Sequence, residues 1–384
     1  MRITLMKFPA LFCATIFMLM GSSLFITYIA LNLDQKQVSS VWIGGMIAAY
    51  YIGMAFGAKI DNIIISHVGH IRTYVACAAI STITVLLHLL FESLPLWLML
   101  RFIMGMAMMG QFIVIESWLN DQVENHQRGI IMAGYMTASS FGQVVGQLLI
   151  GKFPLLSFKP VLLVAICFCI SLIPVAMTRR MYPEPQKSVS MELTYFIKQI
   201  PQPLIAVLIS GIFVGTIYGL APVYANQVGL SNIQISYFLS MIMLAGALAQ
   251  WPMGWLSDRV NRGLLLQKNT LIFAILIIPL WGIFSLSYSF LLIFAFILGI
   301  FAFTFYPLSV SFANDDIDPA KRISLSTLML VTYSIGASMG PIVIGLIMKL
   351  NSGALFITFS VISICFSLWL KTIRQNNSKN TLPS

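Results

Sequence analysis

The sequence predicts an all-α integral membrane protein: twelve transmembrane helices in two pseudo-symmetric six-helix bundles. Three observations predict it. Charged residues make up 9% of the 384-residue chain and hydrophobic residues 59%, whereas soluble domains carry about 25% charged residues. The apolar residues come in runs of about 20, long enough to cross a hydrocarbon core of about 30 Å. They are apolar all round and lack the charged outer face of a soluble amphipathic helix. Finally, the chain repeats itself at an offset of 194. Gly105, Asn120, Asp121, Arg128, Gly142, Gly146 and Gly151 recur as Gly299, Asn314, Asp315, Arg322, Gly336, Gly340 and Gly345. Strand-length alternation is absent, which argues against an outer-membrane barrel.

In chain order the spans are placed at about 9–33, 39–60, 72–92, 95–118, 129–151 and 159–178, then 200–224, 233–256, 265–286, 289–312, 323–348 and 353–371. Polar or turn-forming stretches separate them, such as Asp34-Gln35-Lys36-Gln37, Glu92-Ser93-Leu94-Pro95 and Asn351-Ser352-Gly353. Arg2 and Lys7 precede a first apolar run too long for a signal-peptide core, so it is read as an uncleaved helix. The segment 179–198 holds Pro183, Pro185, four basic residues and two glutamates. It divides the spans six and six. This gives an N-terminal bundle at 1–178, a cytoplasmic linker at 179–198, a C-terminal bundle at 199–374 and a cytoplasmic tail at 375–384.

Charge placement sets the expected orientation. Of the 22 Lys and Arg residues, all but Lys36, Arg101, Lys152, Lys159 and Lys349 fall on the side that holds both termini. The positive-inside rule makes that side cytoplasmic. The net charge of +10 does not indicate nucleic acid, because the basic residues are scattered over short connections rather than gathered in a patch. Cys13, Cys77, Cys167, Cys169 and Cys365 all fall in apolar segments, so neither a disulfide framework nor a metal site is expected. No nucleophile elbow, zinc-protease motif or phosphate-cradling loop is present. The expectation is a carrier rather than an enzyme, with no cofactor, working as a monomer.

Several motifs carry a family resemblance. The stretch Gly254-Trp255-Leu256-Ser257-Asp258-Arg259-Val260-Asn261-Arg262 follows span 8, and a degenerate copy, Gly57-Ala58-Lys59-Ile60-Asp61, follows span 2 with Asn62 in place of the Arg. Span 4 holds Arg101-Phe102-Ile103-Met104-Gly105. Span 5 holds Gly142 and Gly146, and span 11 holds Gly336, Gly340 and Pro341. Together these resemble the major facilitator superfamily. Val68-Gly69-His70-Ile71-Arg72, Glu116-Ser117-Trp118-Leu119-Asn120 and Tyr306-Pro307-Leu308 resemble its YcaD-type bacterial branch. The resemblance implies the major facilitator fold and alternating access in the bacterial inner membrane. The expected function is secondary transport of a small organic solute, with proton coupling an open question. A facilitator, a drug-like efflux carrier and a non-transporting receptor are the alternatives.

Three groups of candidate residues follow. The substrate-cavity candidates are Arg101, Gln111, Tyr28, Tyr50, Gln143, Tyr218, Gln250, Tyr306 and Tyr333, since polar groups inside spans need partners away from lipid. Arg101 leads them, because an unpaired charge in mid-span costs at least about 2.5–3.5 kcal/mol. A cytoplasmic gate is expected from Gly57, Asp61, Arg72, Glu116 and Arg128 in the first half. Gly254, Asp258, Arg259, Arg262, Asp315 and Arg322 form its counterpart in the second. Gly142, Gly146, Gly336, Gly340 and Pro341 are helix-packing candidates, because glycines four apart share a face and let backbones approach in lipid. Their expected role is a sliding contact at the moving seam, with static packing as the alternative. Glu116 is the carboxylate nearest mid-membrane, and His88 is the other conceivable proton site.

Overall fold

The computed structural model describes residues 9–121, 128–154, 156–177, 193–284, 286–315, 317–318, 321–349 and 351–380. Twelve long helices run in order. The first half holds α1 Pro9–Gln35, α2 Ser40–Val68, α3 His70–Leu90, α4 Leu94–Asp121, α5 Arg128–Ile150 and α6 Lys159–Ala176. The second holds α7 Pro201–Gln227, α8 Asn232–Ser257, α9 Arg262–Leu276, α10 Tyr288–Asp315, α11 Arg322–Ile347 and α12 Ala354–Asn380. A short helix, Leu193–Gln199, precedes α7. Most of the predicted linker, the first eight residues and the last four lie outside the described residues.

Ten of the twelve are long and apolar enough to cross a membrane by length and composition. The other two are α5, which is diluted by Gly, Ser, Thr and Gln, and the 15-residue α9. Helix α9 stops short of its expected end because Pro279 lacks an N–H and its ring blocks the preceding turn. The chain tightens into a 3₁₀ turn, Ile278–Trp281, and closes at Gly282 in the left-handed region with φ 78°. The exposed surface carries large apolar side chains along the spans, Leu90, Met99, Ile173, Leu248, Ile293 and Val361 among them. Side chains of that kind belong against lipid.

The duplication is exact where it is best seen. Helices α4 and α10 are each 28 residues long, and both their ends differ by the repeat offset. Packing repeats too: α2 lies on α4 as α8 lies on α10, α1 on α5 as α7 on α11, and α3 on α6 as α9 on α12. The two halves meet mainly through α2 with α11 and α5 with α8, a pair exchanged by the same symmetry. An even number of spans leaves both chain ends on one side, here called the terminal end; the opposite side is the far end.

One boundary differs from expectation. Helix α2 was expected to stop near residue 60, but it continues to Val68. Ile63-Ile64-Ile65 are apolar, and nothing breaks the helix before Gly69, which adopts φ 85°. Asp61 is therefore inside a helix, whereas its counterpart Asp258 caps the end of α8.

Candidate functional site

The seam between the halves is closed at the far end. At the end of α1, Asp34 Oδ2 accepts from Asn226 Nδ2 at 2.6 Å and Oδ1 from Gln227 Nε2 at 3.3 Å, both at the end of α7. Asn232 Nδ2 donates to the Phe153 carbonyl, and Ser240 Oγ to the Val144 carbonyl, both at 3.5 Å. Glycines make the tightest approaches. A Cβ on Gly44 of α2 would strike the Pro341 carbonyl of α11, and one on Gly345 would lie 2.6 Å from the Ser40 oxygen. A Cβ on Gly151 would lie 2.5 Å from Ser236 Oγ, and one on Gly219 would strike Ile47.

Beneath this closure lies a cluster of rings drawn from both halves. Tyr218 Oη donates to Gln143 Oε1 at 2.6 Å across the seam. Tyr51 and Tyr333 meet edge to face at 6.1 Å between centroids, and Tyr333 meets Tyr306 at 5.2 Å. Tyr218 packs on Phe303 at 6.0 Å. These hydrogen bonds across the seam lie at the far end and in this cluster. Toward the terminal end, Glu116 is exposed on α4, where Tyr135 Oη donates to its Oε1 at 3.2 Å. The site is thus a seam shut at the far end by glycine contacts and roofed by tyrosines, with Glu116 exposed on α4 toward the terminal end.

Of the cavity candidates, Gln143, Tyr218, Tyr306 and Tyr333 gather here. Four others do not. Gln111 is buried inside the first half and donates to Ser81 Oγ of α3 at 3.1 Å. Tyr28 is buried near the far end, where its Oη accepts from Asn32 at 3.4 Å. Gln250 is exposed on α8. Tyr50 is buried against Tyr51 and the Arg101 guanidinium, which stacks 4.9 Å from its ring centroid. Arg101 is itself fully buried inside the first half. It touches the Phe25 ring, the Met46 carbonyl and Met104 Sδ. The structure places Arg101, Gln111, Tyr28 and Gln250 outside this cluster: an apolar span does not show from its sequence which polar side chains face a neighbour and which face the seam.

The glycine motif is corrected as well. A Cβ on Gly142 or Gly146 would lie 2.5 Å from the carbonyls of Ile16 and Met20 on α1. Gly336 and Gly340 press in the same way on Leu208 and Ile212 of α7. These contacts bind each half internally rather than sliding between halves. Pro341 is the exception, since its carbonyl receives Gly44.

The gate candidates divide. In the second half Arg262 gathers both acids: Nη2 pairs with Asp258 at 2.9 Å and Nη1 with Asp315. Arg259 stacks on Trp255, its guanidinium 3.9 Å from the ring centroid. Gly254 has open space around it. In the first half the pairing of Asp61 with Arg72 does not form. Arg72 is exposed on α3, while Asp61 is 3% exposed and its Oδ2 has no hydrogen-bond partner. Asp61 is packed where Gly57 and Gly110 leave room for its carboxyl beside Cys77. The side chains of Arg128 and Arg322 lie outside the described residues. A buried polar group without a partner opposes folding by about 1–3 kcal/mol, and an ionised carboxylate by more. Asp61→Asn is therefore expected to raise the denaturation midpoint of the purified protein at pH 8; an unchanged or lower midpoint would show that the charge has a partner in another conformer.

Sequence reasoning missed Tyr51, Tyr135, Asp34, Asn226, Gly44 and Gly219. Gly44 and Gly219 have no glycine counterpart at the repeat offset, and Asp34 sits in what reads as an ordinary turn. Only Tyr51, next to the noted Tyr50, carried a local signal.

A profile of the Major Facilitator Superfamily matches residues 11–266 and 203–384. The MFS-type transporter YcaD of Escherichia coli O139:H28 (strain E24377A / ETEC) is 28% identical over 350 residues, 90% of each chain. Among solved structures, nucleoside transporter NupG superposes with a TM-score of 0.78 at 14% identity, covering 94% of this chain and 98% of its own. A D-xylose–proton symporter gives 0.77 at 14%, covering 96% and 97%. A bacterial Spinster homologue in an inward-facing and occupied conformation gives 0.76 at 15%, covering 97% of each. Likenesses at such identity speak for the fold alone, but the profile spans nearly the whole chain and agrees with the duplicated twelve-helix architecture: the chain belongs to the Major Facilitator Superfamily of transporters.

Proposed function

We propose that this protein is a secondary carrier of the bacterial inner membrane that moves a small organic solute by alternating access. The excess of Lys and Arg at the terminal end makes that end cytoplasmic, so the conformation is inward-facing. The observation that carries the reading is the closure of the seam at the far end, where Asp34, Asn226 and four glycines join the halves, with Glu116 exposed toward the terminal end. An alternating carrier requires that this closure break while another forms on the opposite side. The tyrosine roof and Gln143 supply ring area with a few directed hydrogen bonds, the usual lining of a small-molecule site. Proton coupling through Glu116 belongs to the same reading and predicts flux that responds to a pH gradient.

A test needs no knowledge of the solute. In a chain whose five native cysteines are replaced, Asp34→Cys and Asn226→Cys place two thiols across the far-end contact. A third cysteine at Tyr333 reports access to a membrane-impermeant maleimide. Before oxidation, that probe is expected to label from both faces. After cross-linking it labels from the terminal face alone, and reduction restores both. Labelling from one face throughout would rule out alternation at this seam.

A further inference from the structure

The loops that close the far end also enclose a polar cavity. It measures about 400 Å³ and both halves line it: Asp34, Gln37 and Ser40 from the first, Gln227, Lys349 and Asn351 from the second. Small-molecule sites run from about 300 to 1,000 Å³. Ser40 is the residue against which Gly345 packs, so the cavity adjoins the α2–α11 contact. Gln37 is the one described non-glycine residue in the left-handed region, with φ 58°. Its turn folds it back over Asp34, whose carbonyl accepts from the Gln37 backbone N–H at 2.9 Å and from Nε2 at 3.4 Å. Such backbone is uncommon outside glycine, and here it forms part of the cavity wall.

The cavity holds one charge of each sign, and the two do not pair. The Asp34 carboxylate accepts from the neutral amides of Asn226 and Gln227. A carboxylate has about four lone-pair sites, so about two remain. Lys349 is exposed and makes no ion pair among the described residues. The other far-end acid, Glu92, is taken by Lys36. The far-end loop residues outside the described set are Leu155, Ser285 and Leu350, and none carries a charge. The duplication does not repeat the two charges. Helices α1 and α7 are both 27 residues long, and their ends lie 192 apart, which makes Asn226 the mate of Asp34. At the 194 offset that relates Gly151 to Gly345, Lys349 corresponds to Leu155. Both mates are uncharged.

We propose that this cavity is a far-side effector site for a small zwitterion, an amino acid whose ammonium meets Asp34 and whose carboxylate meets Lys349. A lone cation would be repelled by Lys349, and a lone anion by Asp34; a zwitterion meets both charges with the favourable sign. Because the walls come from both halves, the ligand keeps all its contacts only while the far end is closed. It therefore stabilises that closure as its occupancy rises and slows the cycle from the far side. This clamping rests on the carrier reading above; the site itself does not.

The test uses the full chain in lipid nanodiscs and straight-chain amino acids of increasing length: glycine, β-alanine, γ-aminobutyrate and ε-aminocaproate. Butylamine and butyrate are the single-charge controls, and binding is read by equilibrium dialysis. At least one zwitterion is expected to bind at least about tenfold more tightly than either control. Lys349→Gln should weaken that ligand about tenfold and remove its advantage over butylamine. Asp34→Asn should remove its advantage over butyrate. Lys349 takes no part in the hydrogen bonds that close the seam, so its variant tests the site without opening it. In vesicles carrying the cysteine-replaced chain with Tyr333→Cys, the same zwitterion should cut far-side maleimide labelling several-fold, and Lys349→Gln should restore it. Zwitterion binding no tighter than the controls, or a preference that survives Lys349→Gln, would overturn the site. Far-side labelling that is unchanged or raised by the bound zwitterion would overturn the clamp. Labelling from the terminal face alone without ligand would sink the carrier reading, and the clamp with it, while the dialysis still decides the site.

Discussion

Gly44→Leu is expected to hold the far end of the seam open and stop transport while leaving the first half folded. The reason is local. The nearest atoms to a Cβ at Gly44 all belong to Pro341 and Ile342 of the other half, the Ile342 nitrogen at 3.1 Å. A backbone carbonyl has no rotamer with which to retreat, so the added side chain must push α2 and α11 apart. Overpacking of this kind costs about 1–3 kcal/mol, which shifts a two-state balance roughly 5- to 150-fold against the closed form. The neighbouring residue supplies the control. A Cβ on Gly45 meets only Leu98 Cδ2 at an ordinary 3.4 Å, so Gly45→Ala should behave as native. The readout is maleimide access to a cysteine at Tyr333, which should rise from the far side and fall from the terminal side in Gly44→Leu. An access pattern identical to the native one would show that the α2–α11 contact does not limit closure.

Arg101→Met is expected to raise stability and abolish transport. The guanidinium has no exposure, and its Nη2 has no hydrogen-bond partner. No carboxylate pairs with it among the described residues. Its compensation is the rings of Phe25 and Tyr50, at 5.5 and 4.9 Å from their centroids, one long bond of 3.4 Å to the Met46 carbonyl and a weak one of 3.6 Å to Met104 Sδ. A desolvated cation–π contact contributes about 2 kcal/mol, against several kcal/mol for burying the charge. Methionine fills similar length without the charge, and exchanges of this kind stabilise by about 1–4 kcal/mol where packing is kept. A charge retained against that gradient points to use in another conformer of the cycle, where α1, α2 and α4 rearrange around it. Thermal unfolding and flux of Arg101→Met, read together, decide the matter. Native flux would reduce Arg101 to a structural residue; a lower midpoint would mean that its ring contacts outweigh the burial penalty.

These two residues show how unevenly the site could be read in advance. Arg101 was conspicuous because a charge in an apolar span is rare, yet its neighbours belong to one half and it lines no opening. Gly44 was inconspicuous, one of 26 glycines, yet it receives a carbonyl from the other half. The Gly142–Gly146 and Gly336–Gly340 pairs were legible as close-packing faces, and they are. Their partners were not legible, because a small residue announces that a backbone comes near without saying whose. Asp61 was read from its motif as a loop charge; the isoleucines after it extend the helix and bury it. The Arg262 cluster with Asp258 and Asp315 was the gate element read most nearly as it stands, since all three lie at helix ends where chain order already brings them to the same side.

Composition, span length and the repeat were enough to determine the solvent, the number of helices and the division into two halves, and the loop and glycine motifs pointed to the family. The first three follow from how much apolar length the chain carries and where it recurs, and none depends on rotation about a helix axis. The rotation is what the tertiary structure alone decided. Lipid rewards any apolar face equally, so helices such as α7 are apolar all round and give no stripe from which to infer which side meets a partner, the lipid or the seam. Only the packed halves show that Tyr218 reaches Gln143 across the seam while Gln111 is turned inward to Ser81.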